Sequence, residues 1–137
     1  MKTVSLELSK QLKENGYPQD LTISFNYWVR VKDLEGRYLR SRNTLNDTTT
    51  DFIASPTADE LLEQLPARIT NPSTRNMDRL TFFFKGHAGD DSKQDVRDGF
   101  TLEYWTNYSQ PLTRIKGDTL ADACAKMWLH LKKEGLL

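Results

Sequence analysis

LTISFNYWVRV, residues 21–31, alternates without a break. Leu21, Ile23, Phe25, Tyr27, Val29 and Val31 take one side; Thr22, Ser24, Asn26, Trp28 and Arg30 take the other. A period of two sends successive side chains to opposite faces, so the stretch predicts a strand with one apolar face. A turn over Asp33 to Gly36 returns the chain into RYLRSR, residues 37–42. DFIAS (51–55) is a short apolar segment just before the next helix, and LTFFFKG (80–86), GFTLEYWTNY (99–108) and PLTRIKG (111–117) supply further strands.

Helices punctuate these strands. Thr57 opens TADELLEQLP with Glu60 three residues on, the spacing at which side chain and backbone cap each other reciprocally. Leu61, Leu62 and Leu65 make its apolar stripe, and Pro66 stops it. Thr119 and Asp122 repeat the spacing at the start of DTLADACAKMWLHLKKEG, which Lys132, Lys133 and Gly135 bring to an end. A first helix runs from about Ser5 to Asn15, with Leu8 and Leu12 on one face and Gly16-Tyr17-Pro18 closing it. Helix, two or three strands, helix, three strands, helix is the expected order. Strand runs with segregated helices predict an α+β fold: a mainly antiparallel sheet of five to six strands with about three helices. One domain over 1–137 is expected, with a weak subdivision near 70–79, where TNPSTRNMD reads as a loop.

Composition narrows the function classes. Of the 137 residues 10% are aromatic, which argues against disorder. Nineteen basic residues balance nineteen acidic ones, so no net field steers the chain towards nucleic acid or anionic lipid. A single cysteine makes no internal disulfide and suits a reducing compartment. The N-terminal MKTVSLELSKQLKENG carries charge throughout and has no apolar h-region. A cytoplasmic protein without a membrane partner is the expectation.

Candidate chemistry is sparse. Cys124 falls on the helical stripe of Leu120, Ala123, Met127, Trp128 and Leu131, where it acts as a small hydrophobe. His130, six residues on, lies about 240° round the helix, so the two share no site; it is placed on a solvated face with Lys126 and Glu134. His87 with Asp90, Asp91, Asp95 and Asp98 lacks the spacing of a calcium loop and reads as a solvated hairpin loop. No phosphate-cradling glycine loop, nucleophile elbow or paired Cys-x-x-Cys occurs. No catalytic, cofactor or metal residue is assigned.

One patch stands out. Trp28 and Arg30 fall on the polar face of the first strand, with Arg40 and Arg42 nearby, and Trp105 falls on the polar face of GFTLEYWTNY. An open face of that kind would stack on bases or seat a partner peptide; covered by helices, its tryptophans would be interface packing.

VSLELSKQLKENGYP, SPTADELLEQLP and DTLADACAKMWLHLKKEGLL resemble small hypothetical proteins of phages and prophages over about a third of the chain. The resemblance implies an origin and no assigned activity. A local likeness over Gly117 to Ala123 is to HicB-type antitoxins, whose strand leads into a similar helix start; no DNA-binding helix-turn-helix or ribbon-helix-helix follows here. From Thr57 onward the expected order is similar to that of a double-stranded RNA-binding domain, although Asp118 and Asp122 stand where phosphate contact would want basic residues. The expected function is a non-enzymatic accessory protein that binds another protein. The alternative is a nucleic-acid-binding module using the aromatic and basic sheet face.

Overall fold

The computed structural model describes residues 2–45, 49–70, 77–85, 99–105 and 111–137, with the backbone alone described at 50, 77–85, 99, 105, 111 and 112. Helix α1 spans Leu6–Glu14, followed by strands β1 (Asn26–Val31), β2 (Tyr38–Ser41) and β3 (Thr49–Ala54). Helix α2 (Ala58–Gln64) leads to β4 (Arg68–Thr70), β5 (Met77–Lys85), β6 (Gly99–Trp105) and β7 (Pro111–Gly117). Helix α3, Leu120–Lys133, ends the order. This is the expected α+β class with three helices and antiparallel pairing. The strands divide between two sheets, β2-β1-β3 and β4-β5-β6-β7, and the three-residue β4 exceeds the expected count.

The alternating stretch becomes a strand only from Asn26 onward. Before it, the Asp20 carboxylate accepts from the Thr22 N–H at 2.8 Å and the Asp20 carbonyl from Ile23 N at 3.0 Å. An aspartate that bonds the backbone two residues on folds the chain into a turn. Leu21 and Phe25 accordingly remain exposed, whereas Tyr27 and Val29 are fully buried. Local turn chemistry overrides the pattern.

The caps form as the sequence dictates, with one departure. Thr57 and Glu60 make both arms of the capping box on α2. On α3, Thr119 Oγ1 accepts from the Asp122 N–H at 3.1 Å. The Asp122 carboxylate instead accepts from the Ser5 N–H at 2.9 Å, across 117 residues of sequence. It thereby ties the start of α1 to the start of α3. Gly117 is the other constraint at this end: a Cβ there would lie 2.3 Å from the Ala123 nitrogen, so β7 runs directly into the first turn of α3.

Buried residues from all three helices and both sheets make one hydrophobic cluster, including Leu8, Leu12, Tyr17, Tyr27, Ala54, Leu61, Leu102, Tyr104, Cys124, Met127 and Leu131. Trp128 stands edge-on to Tyr17, ring centroids 5.3 Å apart, so α3 is locked to the segment that precedes β1. His130, expected on a solvated face, is half-buried with Nε2 3.5 Å from Thr113 Oγ1 on β7. It sits on the flank of α3 that turns towards the sheet.

Candidate functional site

Register decides which side chains of the small sheet stand together. In β1 and β2, Asn26 opposes Ser41, Tyr27 opposes Arg40, Trp28 opposes Leu39 and Val29 opposes Tyr38. Opposed residues share a face. Trp28, Arg30 and Leu39 therefore lie on one face, whereas Arg40 lies on the other with Tyr27, Val29 and Tyr38. Arg42 joins the second face, since its N–H donates to the Phe25 carbonyl at 2.8 Å and its guanidinium lies 5.1 Å over the Phe25 ring. Trp105 belongs to β6 in the other sheet, and its side chain lies outside the described residues. The five residues of the expected patch are thus not brought together.

Trp28 is half-buried, and its indole N–H donates to the Val4 carbonyl at 3.3 Å. The N-terminal segment that receives it is itself fixed by Val4 N to the Pro56 carbonyl at 3.0 Å. Arg30 is taken up by a different feature. Between Trp28 and Arg30 the β1–β3 register slips, so that Asp51 and Phe52 together oppose Val29. This is a bulge, and Asp51 sits in it at φ 57°, the left-handed region. The bulge aims its carboxylate at three cations: Arg37 at 2.6 Å, with Lys13 and Arg30 each at 3.9 Å. The Arg37 hydrogen bond, ahead of the nearby charges, holds the Asp51 carboxyl below the usual carboxylate range.

Side chains bond to outward backbone groups on both edges of the small sheet. In an antiparallel pair, residues whose backbone groups face the partner alternate with residues whose groups face away. Ala54 and Phe52 on β3 turn outward; the Ala54 N–H donates to Gln19 Oε1 at 2.8 Å, and the Phe52 carbonyl accepts from Lys13 Nζ at 3.0 Å. On β2 the outward residues are Leu39 and Ser41. Their carbonyls accept from Arg40 Nη1 at 3.3 Å and Thr44 Oγ1 at 2.9 Å. Occupied edge groups are poor templates for an incoming strand.

The Phe25 face holds what sequence reasoning missed. Arg40 stacks 5.5 Å over Tyr38 as Arg42 does over Phe25, so two exposed guanidinium groups lie on aromatic rings along one side of β2. Arg42 Nη1 also donates to the Leu21 carbonyl at 2.9 Å. Neither arginine meets a carboxylate within 4 Å among the described residues. The basic content of 30–42 was a signal for this surface; the pairing of Phe25 with Arg42 across two strands was not.

Elsewhere the chemistry is quiet. Cys124 is fully buried, and burial pushes its thiol up to about 12. Glu103 on β6 is buried and pairs across the sheet with Arg114 at 2.5 Å. Among the described residues no group of three His, Cys, Asp or Glu is placed to hold a metal ion, and no helix is long and apolar enough to cross a membrane. His87 and the aspartates at 90, 91, 95 and 98 lie outside the described residues. In comparison with known proteins, the chain matches no family model, no curated protein and no solved structure.

Proposed function

We propose that the protein acts without catalysis, by binding another protein through its three-stranded sheet. The observation that supports this reading is the distribution of exposed large apolar side chains. Among the described residues these are Leu21, Phe25, Leu34, Leu39, Phe52 and Leu137. All but Leu137 fall between α1 and α2, in the small sheet and its turns. Exposed apolar side chains near arginines and aromatic rings, here on both faces of the sheet, are of the composition found in protein interface cores, in which Lys and Glu are depleted. The phage or prophage origin implied by sequence likeness, and a cytoplasmic setting, belong to the same proposal.

Photo-cross-linking tests it. A benzoyl-phenylalanine placed at Leu39 or Phe25 should give a discrete adduct in host extract, resistant to nuclease and retained at high salt. The same probe at Lys126, exposed on α3, should not. Adducts that vanish with nuclease, or with salt as phosphate contacts do, would transfer the surface to nucleic acid. Adducts from Lys126 alone would move the interface off the sheet.

A further inference from the structure

We propose that the exposed rim formed by Phe25, Tyr38, Arg40 and Arg42, beside the buried Tyr27 and Val29 of the same face, receives an acidic protein segment with interspersed apolar side chains, held by these side chains and not added to the edge of β2. The inference rests on the protein-binding reading above and gives that partner its chemistry.

Three observations carry it. First, among the described residues the cations of the small sheet divide into those that meet a carboxylate and those that do not. Lys13, Arg30 and Arg37 surround Asp51, whereas Arg40 and Arg42 have no carboxylate among the described residues. Second, these last two guanidinium groups are already oriented. Each lies over a ring, at 5.1 and 5.5 Å, and each commits Nη1 to a backbone carbonyl. A guanidinium carries five N–H donors in its plane, so stacking by the flat side and one bond to a carbonyl leave donors for a bidentate carboxylate. Holding the side chains in advance lowers the ordering entropy that binding must overcome. Third, Phe25 and Leu21 remain 39% and 49% exposed beside them. Apolar side chains of the ligand therefore have somewhere to go between the charged contacts.

The edge is less favourable for the same ligand, because the outward carbonyls of Leu39 and Ser41 already accept from Arg40 and Thr44, and an added strand would compete with these bonds. Net charge also argues for carboxylates over a nucleic-acid backbone. With nineteen charges of each sign, the chain offers a local anchor for acids and no extended field for a polyanion.

The test titrates the isotope-labelled full chain with three probes: a peptide alternating Glu with Leu and Phe, the same peptide with Lys for every Glu, and an oligothymidylate. The acidic peptide should shift the amides of Phe25, Tyr38, Arg40 and Arg42, and the Lys peptide should not. Arg40→Glu/Arg42→Glu should weaken the acidic peptide by about tenfold or more, as removal of charge-assisted contacts does. Arg30→Glu, on the opposite face, should change it by less than about twofold. Both arginines are exposed, and an unchanged melting curve for the double variant separates lost binding from lost fold. Failure of the acidic peptide at millimolar concentration overturns the inference, as does equal binding of the Lys peptide or stronger binding of the oligonucleotide. Shifts confined to the outward amides of Leu39 and Ser41 would establish strand addition and overturn it too. If the peptide fails while cross-linking at Leu39 still traps a protein, only this inference falls. If both fail, the protein-binding reading falls with it.

Discussion

In the four-stranded sheet each strand pairs with its sequence neighbour, β4 through β7, and α3 covers Leu102 and Tyr104 on one face. The three-stranded sheet is ordered β2-β1-β3, so β3 must cross to the far side of β1, and no helix pairs with it so fully. Side chains bond to its edges instead: Gln19 and Lys13 on one, Arg40 and Thr44 on the other, while Trp28 reaches the Val4 carbonyl. A three-stranded sheet is near the lower limit of independent stability. This one leans on the shared core through Tyr17, Tyr27 and Ala54 and presents its remaining surface outward. The larger sheet supplies stability and the smaller one supplies surface, a division that mutation and pH can probe.

The largest expected effect is alkaline unfolding of the shared core. Burial pushes the Cys124 thiol and the Tyr17 hydroxyl each to about 12 and raises Tyr104 as well. In the unfolded chain these groups ionise near 8.5 and 10. Their folded pKa values are raised, so their contribution is complete below the unfolded values and is lost as pH climbs towards the folded ones. Each group removes roughly 1.4 kcal/mol per pH unit within its window. Stability should fall gently from about pH 9, where Cys124 acts alone, and steeply above about pH 10, where the tyrosines join. Urea midpoints measured from pH 7 to 11 check this, and Cys124→Ala should flatten the segment between 9 and 10. A flat profile would mean that the core is open to water.

Next come the tryptophans, which separate core from surface directly. Trp128 is buried and edge-on to Tyr17, so Trp128→Ala should cost about 3–5 kcal/mol, as large core truncations do. Trp28 is only half-buried and makes one bond to the Val4 carbonyl, so its alanine variant should cost about 2 kcal/mol. Equal losses in chemical denaturation would show that the small sheet is as fully packed as the large one.

Element identities were legible because they rest on local rules. The Thr57 capping box, the buried stripe of α3 and the alternation from Tyr27 to Val31 each need only a few neighbouring residues. The boundary at Leu21 was not, because the Asp20 side chain competes with strand pairing and period alone cannot weigh the two. β4 escaped notice because three residues carry too little pattern. The candidate site suffered most. Which arginines share a face depends on where β2 registers against β1, and the bulge at Asp51 is set by a partner strand twenty residues away.

Smaller effects follow at the helix starts. Thr57→Ala should cost about 1 kcal/mol, the usual worth of an N-cap oxygen. Asp122→Ala should cost about 2 kcal/mol, since it removes a hydrogen bond to a charged acceptor and frees the start of α1. Hydrogen exchange separates the two. Loss of Asp122 should deprotect the amides of Ser5 to Ser9 as well as the first turn of α3, whereas loss of Thr57 should act on α2 alone.

The smallest expected effect is the loss of charge at Asp51, and it asks what holds the bulge. One possibility is charge: three cations converge on the carboxylate, and its depressed pKa means that this support is present at neutral pH and lost as pH falls into the acid range. The other is backbone: φ of 57° favours glycine or asparagine over most residues. The side chain is 47% exposed, so solvent screens the ion pairs and their joint worth should stay below about 1 kcal/mol. Asp51→Asn keeps the tolerance for positive φ and removes the charge; it should cost less than about 1 kcal/mol and reduce the acid-side dependence, to which Asp20 also contributes. Asp51→Gly should behave similarly, since it relieves strain as it removes the charge. Asp51→Ala loses both supports and should cost about 1–2 kcal/mol more than Asn. Urea midpoints for the three variants at pH 7 and pH 3.5 decide the matter. If Asn proves as damaging as Ala, charge holds the bulge, and the small sheet depends on its surface electrostatics more than on its backbone.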